Sequence, residues 1–323
     1  MTDTSARLIA LDWGTSSLRA WLLDDQGQIL ASRHEPWGIL HTPEGDFARA
    51  YQAVVGAWRD AHPDLPALAC GMIGSRGGWQ EVPYVAAPAD GNAIADGLVE
   101  IETGIDRLAL VPGVMQHSNP ETGALPNVMR GEETQLLGVM ARYPALAQKA
   151  LLIMPGTHSK WAWIEAERLT AFTTHMTGEL YAVLREHSIL GRPALEGEEE
   201  AGEAASLEAF DEGLENARQS GSSGLSGQLF SVRSRVLAGE LSPAASLAYL
   251  SGLLIGEEVR SAMAALGETS CPELALIGDD VLCRRYARAL SHFECPDVET
   301  IHDASISGLM TIARHAGLIT AAG

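Results

Sequence analysis

Asp12 ends an apolar run, Leu8-Ile9-Ala10-Leu11, and is followed at once by Trp13-Gly14-Thr15-Ser16-Ser17. This set of residues suits phosphate. A glycine lets backbone N–H groups approach without a Cβ, hydroxyls donate hydrogen bonds, and a carboxylate can serve the metal that accompanies a phosphate chain. The chain writes the motif a second time, 142 positions further on, as Met154-Pro155-Gly156-Thr157-His158-Ser159. In that register Gly14 meets Gly156, Thr15 meets Thr157, Ser17 meets Ser159, Ala20 meets Ala162 and Trp21 meets Trp163. Each copy reads as an apolar strand, a Gly-Thr turn and a second strand, so two hairpins could face each other across a cleft and hold one phosphate chain. Taken singly, the glycines would be ordinary turn residues and Asp12 a strand-end cap on its own turn. The repeat in register favours phosphate.

The elements that must position these residues alternate between strand and helix. Arg7 to Trp13, Ser17 to Leu23 and Gln28 to Arg33 read as a three-strand meander with a turn at Asp24-Asp25-Gln26-Gly27. Phe47, Ala50, Tyr51, Val54, Val55 and Trp58 form the stripe of a helix lying on a sheet. Ala67 to Ile73 and Leu108 to Val114 are apolar runs ended by glycine, as buried parallel strands are, and Gly131 to Tyr143 is helical in pattern. The second half repeats the plan. It has strands near Ala150–Met154, Lys160–Glu165 and Leu169–Met176, helices near Gly178–His187 and Pro243–Leu266, a strand at Glu273–Gly278, and helices at Val281–Leu290 and Asp303–Ala316. Ser242 and Pro243 supply an N-cap and a first helical position. Glu196 to Gly227, rich in Glu, Gly and Ser, is expected to hold one solvent-facing helix and a loop at 220–224, with no chemistry.

Composition sets outer limits. A chain of 323 residues should form about two domains. With 22 Lys+Arg against 42 Asp+Glu the net charge is −20, which argues against nucleic acid or an anionic membrane as partner. Positive charge for an anionic substrate must therefore be local. Cys70, Cys271, Cys283 and Cys295 show neither CxxC nor a zinc spacing, so neither zinc nor a disulfide framework is expected, and a reduced cytoplasm fits. The first residues carry no leader pattern, and no run of about 18 apolar residues occurs.

The strand with Asp12-Trp13-Gly14-Thr15-Ser16, the second hairpin with Gly156-Thr157 and the late apolar strand ending in Gly278 resemble the actin, hexokinase and sugar-kinase superfamily of ATPases. More narrowly, Asp12-Trp13-Gly14, Asn127 to Gln135 (NVMRGEETQ), Pro155 to Trp161 (PGTHSKW), Met176-Thr177-Gly178-Glu179-Leu180 and Leu250 to Gly256 (LSGLLIG) resemble the 2-dehydro-3-deoxygalactonokinase family, nearly end to end. Five blocks in order are far more specific than one DxG. The resemblance implies an α/β chain of two RNase H-like, actin-like ATPase domains around a nucleotide-binding cleft, with 1–145 plus 303–323 as the first domain and 146–302 as the second. The implied reaction is ATP-dependent phosphorylation of 2-dehydro-3-deoxy-D-galactonate at its 6-position in the cytoplasm, with ATP and Mg²⁺ as cofactors. The superfamily usually opens the second hairpin with an aspartate where this chain has Met154, which leaves Asp12 as the metal-side carboxylate.

The same resemblance puts the base that accepts the sugar hydroxyl proton at the entrance to a helix some twenty residues before the second hairpin, where Glu132 and Glu133 stand. Adjacent helix positions point about 100° apart, so only one can face a substrate. Glu132, directly after Gly131, is favoured, and the alternative is that both are acids favoured by the helix dipole. For the substrate carboxylate, Arg76 lies in Gly74-Ser75-Arg76-Gly77-Gly78-Trp79, and guanidinium matches carboxylate in a bidentate fork. Ser75 could share the task, and Arg130 is a second cation, equally an ion-pair partner. Thr177 and Glu179 belong to a family-like block and are expected to bind the substrate, with the detailed role of Glu179 left open, while Lys160 is either a phosphate contact or exposed. Gly278 is expected near the nucleoside, whereas Gly252 and Gly256 are weaker candidates that helix packing would also explain. Two other readings stay open on this fold: a phosphohydrolase acting on polyphosphate or a nucleotide, and an actin-like switch protein. A kinase for another sugar acid, such as the gluconate-derived epimer, is a third. A homodimer is the default assembly.

Overall fold

The computed structural model describes residues 5–120, 123–196, 201–220, 224–266, 272–295 and 298–320; Cys271 and part of the 220–224 loop lie outside the described residues. In chain order the strands are β1 (Leu8–Trp13), β2 (Leu18–Leu23), β3 (Ile29–Glu35), β4 (Ala67–Cys70), β5 (Val85–Ala86), β6 (Val99–Glu102), β7 (Arg107–Leu110), β8 (Val114–Gln116), β9 (Asn127–Met129), β10 (Lys149–Met154), β11 (Ser159–Glu165), β12 (Arg168–His175), β13 (Glu273–Ile277) and β14 (Glu299–Ile301). The helices are α1 (Phe47–Ala61), α2 (Gly91–Asp96), α3 (Glu132–Arg142), α4 (Pro144–Gln148), α5 (Thr177–His187), α6 (Arg192–Glu196), α7 (Glu203–Gln219), α8 (Gly224–Leu229), α9 (Ser231–Leu237), α10 (Ser246–Leu266), α11 (Asp280–His292) and α12 (Ser305–His315).

By contact the chain divides into two units, Met1–Ala150 with Ala162–Phe172 and Asp303–Gly323, and Leu151–Trp161 with Thr173–His302. One sheet has the order β3-β2-β1-β4-β7-β6, another β12-β11-β10-β13-β14, and β5-β8-β9 form a small third. The two large sheets thus share one plan, in which the third, second and first strands lie in succession and a fourth follows beside the first. This is the RNase H-like, actin-like ATPase order.

In the first unit the meander forms because β1 is apolar on both faces and so belongs at the sheet centre, antiparallel to β2 and parallel to β4. The β2–β3 turn is closed by Asp24, whose carboxylate accepts from the amides of Gln26 at 2.9 Å and Gln28 at 2.8 Å, with Gly27 at φ +77°. Helix α1 starts at Asp46, which accepts from the Arg49 amide at 3.0 Å, and buries Ala50, Tyr51, Val54, Val55 and Trp58, the expected stripe. The run Leu108–Val114 is not one strand. Pro112 interrupts it, so β7 stays in the large sheet while β8 turns away to pair with β5 and β9. Helices α3 and α12 cross in close contact: a Cβ on Gly138 would lie 2.1 Å from the Ala304 oxygen, and one on Gly308 would lie 1.9 Å from the Thr134 oxygen.

In the second unit, the segment expected to carry a merely solvent-facing helix instead contributes to the core. Helix α7 buries Ala209, Phe210, Gly213, Leu214 and Ala217 against α10. A Cβ on Gly252 would fall 2.0 Å from the Phe210 oxygen, and one on Gly256 would fall 2.7 Å from the Ala217 Cβ, so this GxxxG serves helix packing. Ser242 caps the approach to α10 by accepting from the Ala245 amide at 3.2 Å, and the helix proper begins at Ser246. Among the described residues no helix is long and apolar enough to cross a membrane.

Candidate active site

The β1–β2 turn is held from behind. The Gly14 amide donates to the Ser17 carbonyl at 2.9 Å, and the Gly14 and Thr15 carbonyls accept from Ile39 at 3.0 Å and Leu40 at 3.2 Å. Gly38 is required there, since a Cβ would lie 2.2 Å from the Thr15 oxygen. Thr15 and Ser16 stand exposed, and their amides make no hydrogen bond among the described residues. Two consecutive unbonded N–H groups in a turn are a ready anion cradle.

Asp12, one residue before the end of β1, is partly buried, with a side chain 18% exposed. Its Oδ2 accepts from the Arg19 guanidinium at 2.5 Å and from the Ser305 hydroxyl at 3.4 Å, and Arg19 also reaches Asp303 at 2.8 Å. Oδ1 lies on the side of Gly71, where a Cβ would sit 3.2 Å from it and 2.7 Å from the Trp13 carbonyl, and where φ is +93°. Next to Gly71 is Gly131, at φ +106°, whose Cβ would lie 3.3 Å from the Gly71 Cα. The two positive-φ glycines thus bring Asp12 and the start of α3 together, with the buried Cys70 thiol between them. Burial first, then the charges of Asp12 and Glu133, pushes that thiol well up.

At the start of α3 the two glutamates separate. Glu133 is 1% exposed; its carboxylate accepts from the Gly131 amide at 2.7 Å and the Thr134 hydroxyl at 3.1 Å. Glu132 is half-buried and accepts from the Arg130 amide at 3.0 Å. Burial, and then the neighbouring Glu132 charge, pushes the Glu133 carboxyl up to about 7 from 4.5. The folded state therefore binds more protons than the unfolded state between these values, and stability should fall as pH rises from about 4.5 through 7. Above pH 7 the cost is on the order of 3 kcal/mol. Urea unfolding of the wild type and Glu133→Gln between pH 5 and 8 should show a steeper decline with pH in the wild type; parallel curves would mean that Glu133 does not titrate in this range.

The glycine-rich loop after β4 is anchored by Trp79, which packs on Trp13, Phe47 and Tyr51 with centroids 5.9–6.3 Å apart. Arg76 lies at its exposed tip. Arg130 is 8% exposed, stacks over the Tyr84 ring at 4.4 Å and donates through Nη2 to the Val82 carbonyl at 2.7 Å. Among the described residues its Nε and Nη1 have no hydrogen-bond partner, nor has the buried Ser75 Oγ. A Cβ on Gly74 would lie 2.9 Å from Nη1, so this guanidinium borders the same loop. Among the described residues no ion pair holds Arg130; its contacts are the Tyr84 ring and the Val82 carbonyl.

In the second unit the repeated loop is built alike. The Gly156 amide turns towards Ser159 Oγ at 3.4 Å, while the amides of Thr157 and His158 make no hydrogen bond among the described residues. His158 pairs with Glu179, whose amide donates to the Thr157 carbonyl at 3.0 Å. Gly178 abuts the loop, since a Cβ there would meet the Gly156 oxygen at 2.4 Å. Gly278, at φ +146°, lies beside it: a Cβ would be 3.7 Å from the Pro155 carbonyl. The Thr177 hydroxyl is buried and donates to Glu258. Lys160 is not exposed; it is 5% accessible and donates to Thr174 Oγ1 at 2.9 Å. Sequence reasoning missed Arg19, Gly71, Ser305 and Glu258. Only the Gly after the β4 run carried a local signal.

A profile of the family described as 2-keto-3-deoxy-galactonokinase matches residues 12–312. A protein of Rhizobium meliloti (strain 1021), provisionally named 2-dehydro-3-deoxygalactonokinase DgoK1, is 37% identical over 289 residues, which is 89% of this chain and 90% of that protein. The 2-dehydro-3-deoxygalactonokinase of Escherichia coli (strain K12) is 34% identical over 311 residues, or 96% of this chain and 98% of that protein. A crystal structure from Sinorhizobium meliloti, provisionally assigned as a 2-dehydro-3-deoxygalactonokinase, matches with a TM-score of 0.82 at 35% identity, covering 95% of this chain and 98% of that one. With this similarity along nearly its whole length, the chain belongs to the 2-keto-3-deoxy-galactonokinase family.

Proposed function

We propose that the protein transfers the γ-phosphoryl group of ATP to the 6-hydroxyl of 2-dehydro-3-deoxy-D-galactonate, a step of galactonate breakdown. The observation that carries the sugar-acid part is Arg130. A buried guanidinium with two unpartnered nitrogens, two residues before Glu132, is a desolvated cation next to the candidate base. An anion supplied by a ligand would relieve that cost. Ser75 Oγ is a neutral donor of the same kind, and Arg76, at the loop tip, is the outer cation of the pair.

Phosphoryl transfer asks a protein mainly to position groups and neutralise charge. Unbonded amides at Thr15 and Ser16, and at Thr157 and His158, suit phosphate oxygens, and Gly14, Gly156 and Gly278 keep the backbone approachable there. When bound, Mg²⁺ would supply charge neutralisation to the phosphates, and it accepts one or two carboxylates while keeping several waters. The residues fit that demand. Among the described residues no cluster of three or more metal-ligating side chains occurs, while Asp12 offers Oδ1 with Oδ2 already held by Arg19. Glu132 would accept the hydroxyl proton. A cytoplasmic setting suits an ATP-consuming step, and a homodimer is the assembly we expect, with neither nucleic acid nor a membrane as partner.

The test is ADP release measured with ATP, Mg²⁺ and, in turn, the galactonate-derived acid, its gluconate epimer and no acceptor. Turnover should depend strongly on the galactonate-derived acid, and Arg130→Met should raise its KM by about 10- to 100-fold, the worth of a charge-assisted hydrogen bond. Equal ADP release without acceptor would overturn the proposal in favour of a hydrolase.

A further inference from the structure

The second unit contains a buried carboxylate that the reaction does not use. Glu258, on α10, is 3% exposed. Its Oε1 accepts from the Trp161 indole N–H at 2.8 Å, and its Oε2 accepts from the Tyr286 hydroxyl at 2.6 Å and from the Thr177 hydroxyl. Burying a carboxylate is costly unless its lone pairs are met by donors, and three donors drawn from β11, α5 and α11 meet this one.

Two routes lead from Glu258 to the loop at Gly156. A carboxylate only accepts, so Tyr286 must give its proton to Glu258. The Tyr286 oxygen is then left to accept from Ser159 Oγ at 2.8 Å, and the Ser159 oxygen in turn accepts from the Gly156 amide at 3.4 Å. The direction of every bond in this chain is set by the charge at its end. It turns the Gly156 N–H inward and leaves the next two amides of the loop outward. The second route runs through Thr177, the first residue of α5. Fixing Thr177 fixes Gly178, which packs on the Gly156 and Thr157 backbone, and Glu179, whose amide holds the Thr157 carbonyl at 3.0 Å.

We propose that Glu258 is a positioning residue for the second phosphate loop: it touches no ligand, yet through Tyr286–Ser159 and Thr177–Gly178 it fixes which amides that loop presents to the nucleotide. The inference rests on the reading of Gly156–His158 as a phosphate loop.

The experiment uses the full chain with Tyr286→Phe, Thr177→Val, Thr177→Ser and Glu258→Gln, reading the Kd for ADP, the KM for each substrate and the melting temperature. Tyr286→Phe and Thr177→Val each cut one route, and each should weaken ADP about tenfold, the worth of one hydrogen bond to a charged group, with the sugar-acid KM unchanged. Thr177→Ser keeps the hydroxyl and should restore affinity. Glu258→Gln, which presents an amide donor to one set of donors, should weaken ADP at least as much; if it does not fold, the other three variants decide. Lower melting temperatures with unchanged ADP affinity would reduce Glu258 to a core residue and overturn the proposal. Gly178→Val separates the two failures, because its side chain must displace the Gly156–Thr157 backbone. If it too leaves ADP affinity unchanged, the loop does not hold phosphate. If it alone weakens ADP, only the role of Glu258 falls.

Discussion

Asp12→Asn should lower kcat by about three orders of magnitude, the scale seen when a preorganised charge at a transferring group is removed, while leaving the fold intact. The substitution keeps the shape of the side chain and removes only its charge. Arg19 keeps Asp303 as an ion-pair partner at 2.8 Å, and the carbonyl of asparagine can still accept from Ser305, so the local structure retains its ties. On the proposed reading, what is lost is the carboxylate at the end of β1 that would draw a hydrated Mg²⁺ to the phosphates. The loss should therefore be partly offset by raising Mg²⁺, which a merely structural defect would not show. The measurement is kcat at saturating substrates over a Mg²⁺ titration, with the melting temperature alongside. A kcat within about tenfold of wild type would mean that Asp12 serves only to pair Arg19, and the metal-side role would pass to another group.

Glu132→Gln should lower kcat by about 10²- to 10⁴-fold, the usual worth of a general base, with ATP affinity unchanged. Glu133→Gln should have a far smaller effect on kcat. The distinction rests on access. Glu133 is 1% exposed, with both oxygens engaged inside the protein by Gly131 and Thr134, whereas Glu132 is only half-buried. A substrate hydroxyl can be met by the second more readily than by the first. The opposite result, a collapse in Glu133→Gln alone, would transfer the base to Glu133, whose carboxyl near 7 is well matched to accepting a proton at neutral pH. Rates should be measured at a fixed pH near 7.5 and across pH 5–9, since a base must also appear as a limb of the kcat profile.

The alternation of strands and helices was legible because each element carries its own period: the apolar run of β1, the stripe of α1 and the Asp46 cap are local patterns that tertiary packing reinforced. Failures came where packing overrode the pattern. Pro112 split the Leu108–Val114 run between two sheets, and α7, read as a solvent-facing helix, lies against α10 because Gly213, Gly252 and Gly256 allow a backbone approach that no period announces.

By itself the sequence determined the two loops, their glycines and hydroxyls, the pair Glu132–Glu133 and the candidate cations, because chemistry at a turn is written in consecutive residues. It also carried the family resemblance, through blocks in order. Which glutamate is sealed and which is half-buried, which arginine is exposed and which is buried, and what stands behind each loop were decided only by the tertiary structure. Arg19 meets Asp12 across a strand pair, Gly71 meets Gly131 from opposite ends of a unit's first half, and Glu258 reaches Ser159 through a tyrosine 28 residues further along the chain. Burial and hydrogen bonding depend on distances through space, and a chain's local propensities carry no record of them.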